Sequence, residues 1–85
     1  MSTKINRDMV SAWVLEALRA NGNQGSILEI SRHVWMHHER DIRNAGDLLY
    51  TWQYDLRWAI TDLNRRGSIT HNRQGEPWRL ANATY

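Results

Sequence analysis

The chain contains no cysteine, which excludes disulfide bonds and any metal site built on thiolates. This absence agrees with a reducing compartment, and we expect the protein to be cytoplasmic. No apolar stretch approaches the roughly 20 residues of a transmembrane helix, and the N-terminus lacks the apolar region of a signal peptide, so we expect no membrane partner. Phenylalanine is also absent, yet there are five tryptophans. Each indole can bury roughly 150–250 Å² in a small core.

Lysine is scarce as well, since Lys4 is the only one, and the basic character therefore rests on arginine. Residues 1–50 carry equal numbers of acidic and basic groups, whereas residues 51–85 hold five arginines against three acidic residues. The net charge of +2 is only a weak signature of nucleic-acid binding. Arginine can nevertheless contact phosphate or guanine through two parallel hydrogen bonds.

Eighty-five residues are enough for one small domain, which we place at residues 7–85 behind a flexible N-terminus at residues 1–6. A first helix is predicted from Arg7 to Ala20, because apolar residues recur there at helical spacing. A second helix should begin near Ser26, which matches a capping box with Glu29 three residues later.

The polar segment 39–44, followed by Ala45 and Gly46, predicts a connection of roughly ten residues between the second and third helices. Such a connection is longer than the three or four residues of a tight helix-turn-helix. Asp47 is expected to cap the third helix. Residues 48–50 could either open that helix or pack beneath it as a tether.

The C-terminal third is the most informative part of the chain. Residues 51–66 carry an apolar stripe at helical spacing, and Gly67 follows two arginines, as expected where a helix ends. Apolar residues then predict two facing strands, at Ile69 and at 78–80, to which residues 25–27 could add a third. Three helices with a hairpin predict an α+β fold, a small winged helix-turn-helix domain with a C-terminal β-hairpin wing. The residues expected to share its core are Trp13, Leu56, Ile60, Leu63 and Trp78.

The opposite face of the third helix carries groups that could contact DNA. Arginine suits guanine, glutamine and asparagine suit adenine, and threonine or tyrosine can reach phosphates. The hairpin tip adds groups that would reach phosphates or a minor groove. An ordinary solvated helix face and a solvated turn would have the same composition. The candidate DNA-binding residues are Gln53, Tyr54, Arg57, Thr61, Asn64 and Arg65 on the helix, with His71, Arg73 and Gln74 on the hairpin.

Trp58 lies off the apolar stripe, beside Tyr54 and Arg65, and needs a separate explanation. Its indole could pack on residues 48–50 or against the wing, or it could be exposed for a partner such as a second copy of the chain. We favour packing. In the alternative function, Trp58 and Trp35 would belong to a winged-helix protein-interaction or dimerisation module that docks on a second copy or a larger protein.

Several residues form a series from the third helix to the last strand, namely Trp58-Ala59, Leu63, Arg65-Arg66-Gly67, then Gly75, Trp78 and Leu80. This series resembles the N-terminal winged-helix domain of Mrr-type restriction endonucleases, and the likeness extends over nearly the whole chain. It implies a domain that recognises DNA for a separate nuclease domain, as in restriction–modification. A free-standing module of this kind would suit the regulation of transcription. It also implies a structural role for Trp58. One or two extra residues separate Gly75 from Trp78 in this sequence.

Catalysis is not expected, because a nuclease site needs spaced carboxylates and a lysine around Mg²⁺, and this sequence has only Lys4. His33 and His37 are four residues apart, a spacing that can serve one metal ion, but two ligands on one helix leave a site incomplete. We therefore expect no metal, no other cofactor and no small-molecule substrate. The sequence predicts a non-catalytic module, suited to a regulatory role, that binds double-stranded DNA through its third helix and wing.

Overall fold

The computed structural model describes residues 7–71 and 77–81, and the flexibility predicted for residues 1–6 lies outside them. Three helices combine with one antiparallel sheet, whose strands are arranged in the order β1-β3-β2. This architecture confirms the predicted α+β fold with a winged-helix order of elements. The elements are α1 (Arg7–Ala20), β1 (Gln24–Gly25), α2 (Ile27–Asn44), α3 (Leu48–Arg65), β2 (Ile69–Thr70) and β3 (Trp78–Leu80).

β3 is the central strand of the sheet and pairs with both other strands, so it connects the segment after α1 with the segment after α3. Gly25 of β1 lies opposite Trp78, and Ile69 of β2 lies opposite Leu80. The backbone N–H of Leu80 also donates to the carbonyl of Asn23 at 3.0 Å. The third strand that we considered for residues 25–27 therefore forms, one residue earlier than expected.

α2 begins with the predicted capping box. The backbone N–H of Glu29 donates to Ser26 Oγ at 3.1 Å, and the backbone N–H of Ser26 donates to Glu29 Oε1 at 2.9 Å. The hydrogen bond from the Ser26 backbone holds the pKa of Glu29 below its ordinary value. Two N–H groups that would lack partners at the start of a helix are satisfied in this way.

The predicted connection at residues 39–44 is wrong, because this segment is the last part of α2. Ile42 is fully buried and lies eight residues, about two helical turns, after Val34, which itself lies four residues after Ile30. Burial of Ile42 therefore stabilises the helical conformation of residues 39–44. The backbone departs from helical geometry only at His38, where φ is −128° and ψ is 15°.

The turn between α2 and α3 consists of residues 45–47, so it has the length of a tight helix-turn-helix. Gly46 lies in this turn with φ of +66°, a conformation that glycine adopts without steric strain. Asp47 precedes α3, but its side chain makes no capping hydrogen bond, so the predicted cap is wrong. Its own helical φ and ψ explain the difference, since a capping residue normally has extended backbone angles.

α3 ends as the sequence predicts, at a glycine stop. Gly67 has φ of +82° and donates its N–H to the carbonyl of Asn64 at 3.1 Å. The N–H of Ser68 donates to the carbonyl of Leu63 at 2.9 Å. This pair of bonds is the Schellman motif, which satisfies carbonyl groups at a helix end and turns the chain towards β2.

The core lies where the three helices meet the sheet. Four of the five predicted core residues are buried there, and Trp78 packs against them as a half-buried side chain. In the described part of the chain, no helix combines the length and apolar character needed to cross a bilayer. The buried residues are Val10, Trp13, Val14, Ala17, Leu18, Ile30, Val34, Ile42, Leu56, Ala59, Ile60, Leu63 and Ile69.

Candidate nucleic-acid interface

α3 has one buried face and one exposed face. Its apolar stripe is buried in the core, and the helix packs mainly against α1. The other face contains every residue of the helix that the sequence suggested for DNA contact, and all of them are exposed. These residues are Gln53, Tyr54, Arg57, Thr61, Asn64 and Arg65.

The arginines of this region differ in their contacts. Arg66 Nε lies 3.0 Å from Asp62 Oδ2, an ion pair between residues one helical turn apart. Arg57 and Arg65 form no ion pair with any residue in the ranges 7–71 and 77–81. Two positive charges on the exposed face are therefore available to an anionic partner.

Tyr50 belongs to the same face, although the sequence alone did not assign it there. It is 83 % exposed, whereas Leu48 and Leu49 are half-buried at the start of α3. Residues 48–50 therefore open the helix, which was one of the two alternatives. The spacing of four from Tyr50 to Tyr54 to Trp58 was the available signal, because residues four apart are neighbours on a helix surface.

Trp58 lies beside the start of α1 and is 38 % exposed. Together with Asp8 and Ser11, it lines a pocket between α1 and α3. Residues 48–50, against which we considered packing, do not line this pocket. The indole is therefore partly covered by the domain and partly accessible.

A shallow groove of about 370 Å³ follows the exposed face of α3. Its walls are largely apolar, and none of the described residues that line it is acidic. An apolar groove lined by an arginine is suited to a ligand that combines a flat ring with a negatively charged group. The ring would contact the apolar wall, and the charged group would contact the arginine. The lining residues are Tyr54, Arg57, Trp58 and Thr61.

The wing is described only at its base. His71 is exposed, and its ring meets the edge of Trp78 with the centroids 3.9 Å apart. This contact fixes His71 at the end of β2. Arg73 and Gln74, the other two wing candidates, lie outside the described residues.

Two of the three histidines of α2, His33 and His38, contact α1. His33 Nε2 and His38 Nε2 lie 2.9 and 3.0 Å from Glu16 Oε2, so each can donate a hydrogen bond to this carboxylate. The ring of His38 also stacks on Trp13 at 4.2 Å, and that of His37 stacks on His33 at 4.1 Å. Within residues 7–71 and 77–81, no group of three or more histidine or acidic side chains is arranged to hold a metal ion.

Two opposing effects act on Glu16 at this junction. Partial burial raises the pKa of its carboxyl group, but the hydrogen bonds to His38 and His33 and their positive charge when protonated lower it more. The net pKa therefore lies below the ordinary value of 4.5. The carboxylate form of Glu16 is consequently favoured in the folded protein.

Trp35, which the alternative function placed at an interface, is held within the domain. Its ring stacks on Trp52 of α3 with the centroids 5.5 Å apart, and Arg43 lies 5.4 Å from its centre. Stacking of this kind stabilises the angle between α2 and α3. Trp35 is half-buried, so only part of its ring is accessible to a second protein.

No protein-family model matches the sequence, and neither a curated protein nor a solved structure matches it. The likeness to the N-terminal domain of Mrr-type restriction endonucleases stays a prediction from the residues themselves.

Proposed function

We propose that this protein binds double-stranded DNA without catalysing a reaction, and that α3 enters a groove of the duplex. The main observation is the exposed face of α3, where Arg57 and Arg65 have no ion-pair partner among the described residues. Unpaired arginines can exchange water and counterions for phosphates, which provides most of the affinity of many DNA-binding proteins.

The helix-turn-helix arrangement supports the same proposal. A second helix, a short turn and a third helix with exposed polar groups make up the geometry in which the third helix reads base edges. The turn of residues 45–47 has the required length. On α3, Arg57 is suited to guanine, whereas Gln53 and Asn64 are suited to adenine.

The proposal also covers the cellular process and the compartment in which the protein acts. The resemblance to Mrr-type N-terminal domains favours a recognition module that acts in restriction–modification or in transcription regulation. A module of this kind would work in the cytoplasm, where its DNA is accessible. The wing residues Arg73 and Gln74 would add contacts to phosphates or to a minor groove.

The proposal is tested by fluorescence anisotropy of labelled duplexes at two salt concentrations. Affinity should fall steeply as salt rises, because each phosphate contact releases counterions. Arg65→Ala should weaken binding, whereas Arg66→Ala should weaken it less, because Arg66 is already paired with Asp62. The two variants remove the same charge from adjacent positions, so each is a control for the other.

Absence of binding by the wild type at low salt and high protein concentration would contradict the proposal. Equal losses in Arg65→Ala and Arg66→Ala would indicate that binding follows total charge rather than the exposed face of α3.

A protein-interaction module is the second candidate, and the groove beside Tyr54 and Trp58 is the observation that favours it. Exposed aromatic side chains are common at protein interfaces. The low net charge of +2 also favours a protein partner over DNA. Binding to DNA through Arg57 and Arg65 would decide against this candidate.

A further inference from the structure

The exposed face of α3 carries more aromatic surface than a solvated helix face requires. Tyr50 is 83 % exposed, Tyr54 is 62 % exposed and Trp58 is 38 % exposed. The exposed parts of the Tyr50 and Tyr54 rings leave apolar area in contact with water, and a partner that covers this area gains the free energy of its burial. A flat apolar surface would cover the ring of Tyr54 best.

We propose that α3 binds DNA at an opened base step, where the groove beside Tyr54 holds one unstacked base against the tyrosine ring. The inference rests on the proposed function and specifies the form of DNA that the same site takes. Aromatic side chains bind accessible base faces by stacking, whatever the sequence. A shallow groove of about 370 Å³, with Tyr54 and Trp58 among its walls, is suited to such a ring.

The charges around the groove favour a nucleotide over a protein segment. Arg57 lines the groove, and neither Arg57 nor Arg65 forms an ion pair with a described residue. An unstacked base brings its flanking phosphates to these arginines, whereas an apolar protein segment brings no such charge. A symmetric dimer through this face would bring the arginines of two copies close together, and like charges across an interface are unfavourable.

An intact duplex has no accessible base face on which the ring of Tyr54 could stack. Its grooves present the edges of base pairs, and the faces of the bases are covered by stacking. A face becomes accessible when a base step opens, and opening costs least where a base is unpaired or damaged. The protein should therefore prefer a duplex with an unpaired nucleotide.

The experiment compares two labelled duplexes that differ only by one bulged thymidine. The wild type should bind the bulged duplex about 5- to 140-fold more tightly, as expected when one base–aromatic stack is gained. Tyr54→Phe should keep this ratio of affinities, because it retains the ring. Tyr54→Leu and Tyr54→Ala should bring the ratio close to one, because leucine offers apolar surface without an aromatic face.

Met36→Ala is the matched control, since Met36 is 77 % exposed on α2 and does not line the groove. It should leave the ratio unchanged. Circular dichroism of each variant checks that the fold is retained.

The outcomes separate this inference from the proposed function. Equal affinity of the wild type for the two duplexes would overturn the inference and leave duplex binding intact. Absence of binding to both duplexes would overturn both. Concentration-dependent dimerisation in sedimentation velocity, abolished by Tyr54→Ala, would identify a second copy as the occupant and overturn the inference. A ratio that Tyr54→Leu leaves unchanged would show that stacking is not its cause.

Discussion

The junction between α1 and α2 and the exposed face of α3 are both polar surfaces, but they use their polar groups differently. At the junction, Glu16 accepts hydrogen bonds from His33 and His38. On the exposed face of α3, Arg57 and Arg65 have no such partner in the described ranges. The polar groups of the junction are satisfied within the chain, whereas Arg57 and Arg65 form no ion pair with a described residue.

This difference indicates which polar residues are available for function. A partner that binds at the junction must first replace hydrogen bonds that already exist, and such bonds usually contribute to folding. A partner that binds at the exposed face of α3 meets two arginines that form no ion pair with a described residue. The histidine spacing was the more conspicuous motif in the sequence, yet the less conspicuous arginines are the better candidates for binding.

The largest effect on stability is expected at Leu63, in the core. The packing of α3 in the core positions both the junction and the exposed face of α3. Leu63 is 4 % exposed. Leu63→Ala should lower the free energy of unfolding by roughly 2–5 kcal/mol, as truncation of buried leucines does. Urea denaturation measures the change.

Leu28→Ala is the control, because it removes the same atoms from a leucine that is 59 % exposed. It should cost less than about 0.5 kcal/mol. A loss below about 0.5 kcal/mol for Leu63→Ala as well would mean that the orientation of α3 is wrong.

The next effect concerns Arg57, which forms no ion pair with a described residue. Arg57→Ala should weaken DNA binding by roughly 1–3 kcal/mol and relax the preference for particular sequences if Arg57 contacts a base. Its effect on unfolding should stay within about 0.5 kcal/mol, because the side chain is exposed. Anisotropy with a panel of duplexes measures both affinity and preference.

Arg40→Ala removes the same charge from an exposed arginine of α2 that has no ion pair among the described residues. It should have a smaller effect on affinity than Arg57→Ala. If both variants lose affinity equally, the exposed face of α3 contributes no more to DNA binding than the surface of α2.

A smaller effect should appear at the junction when the pH is lowered. The pKa of Glu16 in the folded protein is below the ordinary 4.5, so its stabilising contribution is complete above that value and is lost as the pH falls through the folded-state pKa. Glu16→Gln should therefore lose less stability than the wild type between about pH 6 and about pH 3. Urea denaturation across this range measures the slopes, and identical slopes would show that the junction does not favour the carboxylate.

The smallest effect is expected for the ion pair between Arg66 and Asp62 at the end of α3. Arg66→Ala should cost about 0.3–0.5 kcal/mol of stability, which is typical of an exposed pair four residues apart in a helix. Arg65→Ala should cost less, because Arg65 has no ion pair in the described part of the chain. Thermal unfolding of the two variants side by side makes this comparison, and the reverse order would contradict it.

The errors made from the sequence share one cause. The predicted loop at residues 39–44 ignored Ile42, whose burial depends on contacts that only the folded chain provides. The predicted cap at Asp47 relied on residue type, although the short turn gives this residue helical backbone angles. In both cases a local pattern was outweighed by packing between helices.

The sequence by itself determined the limits of α1, the capping box of α2 and the glycine stop of α3. These features depend on residues within one or two helical turns, so local spacing and capping are sufficient to predict them. Only the tertiary structure decided that Glu16 is bonded to His33, 17 residues away, and that β1 pairs with β3. It also decided that Ile42 is buried, because the contacts that cover this side chain come from the packed helices.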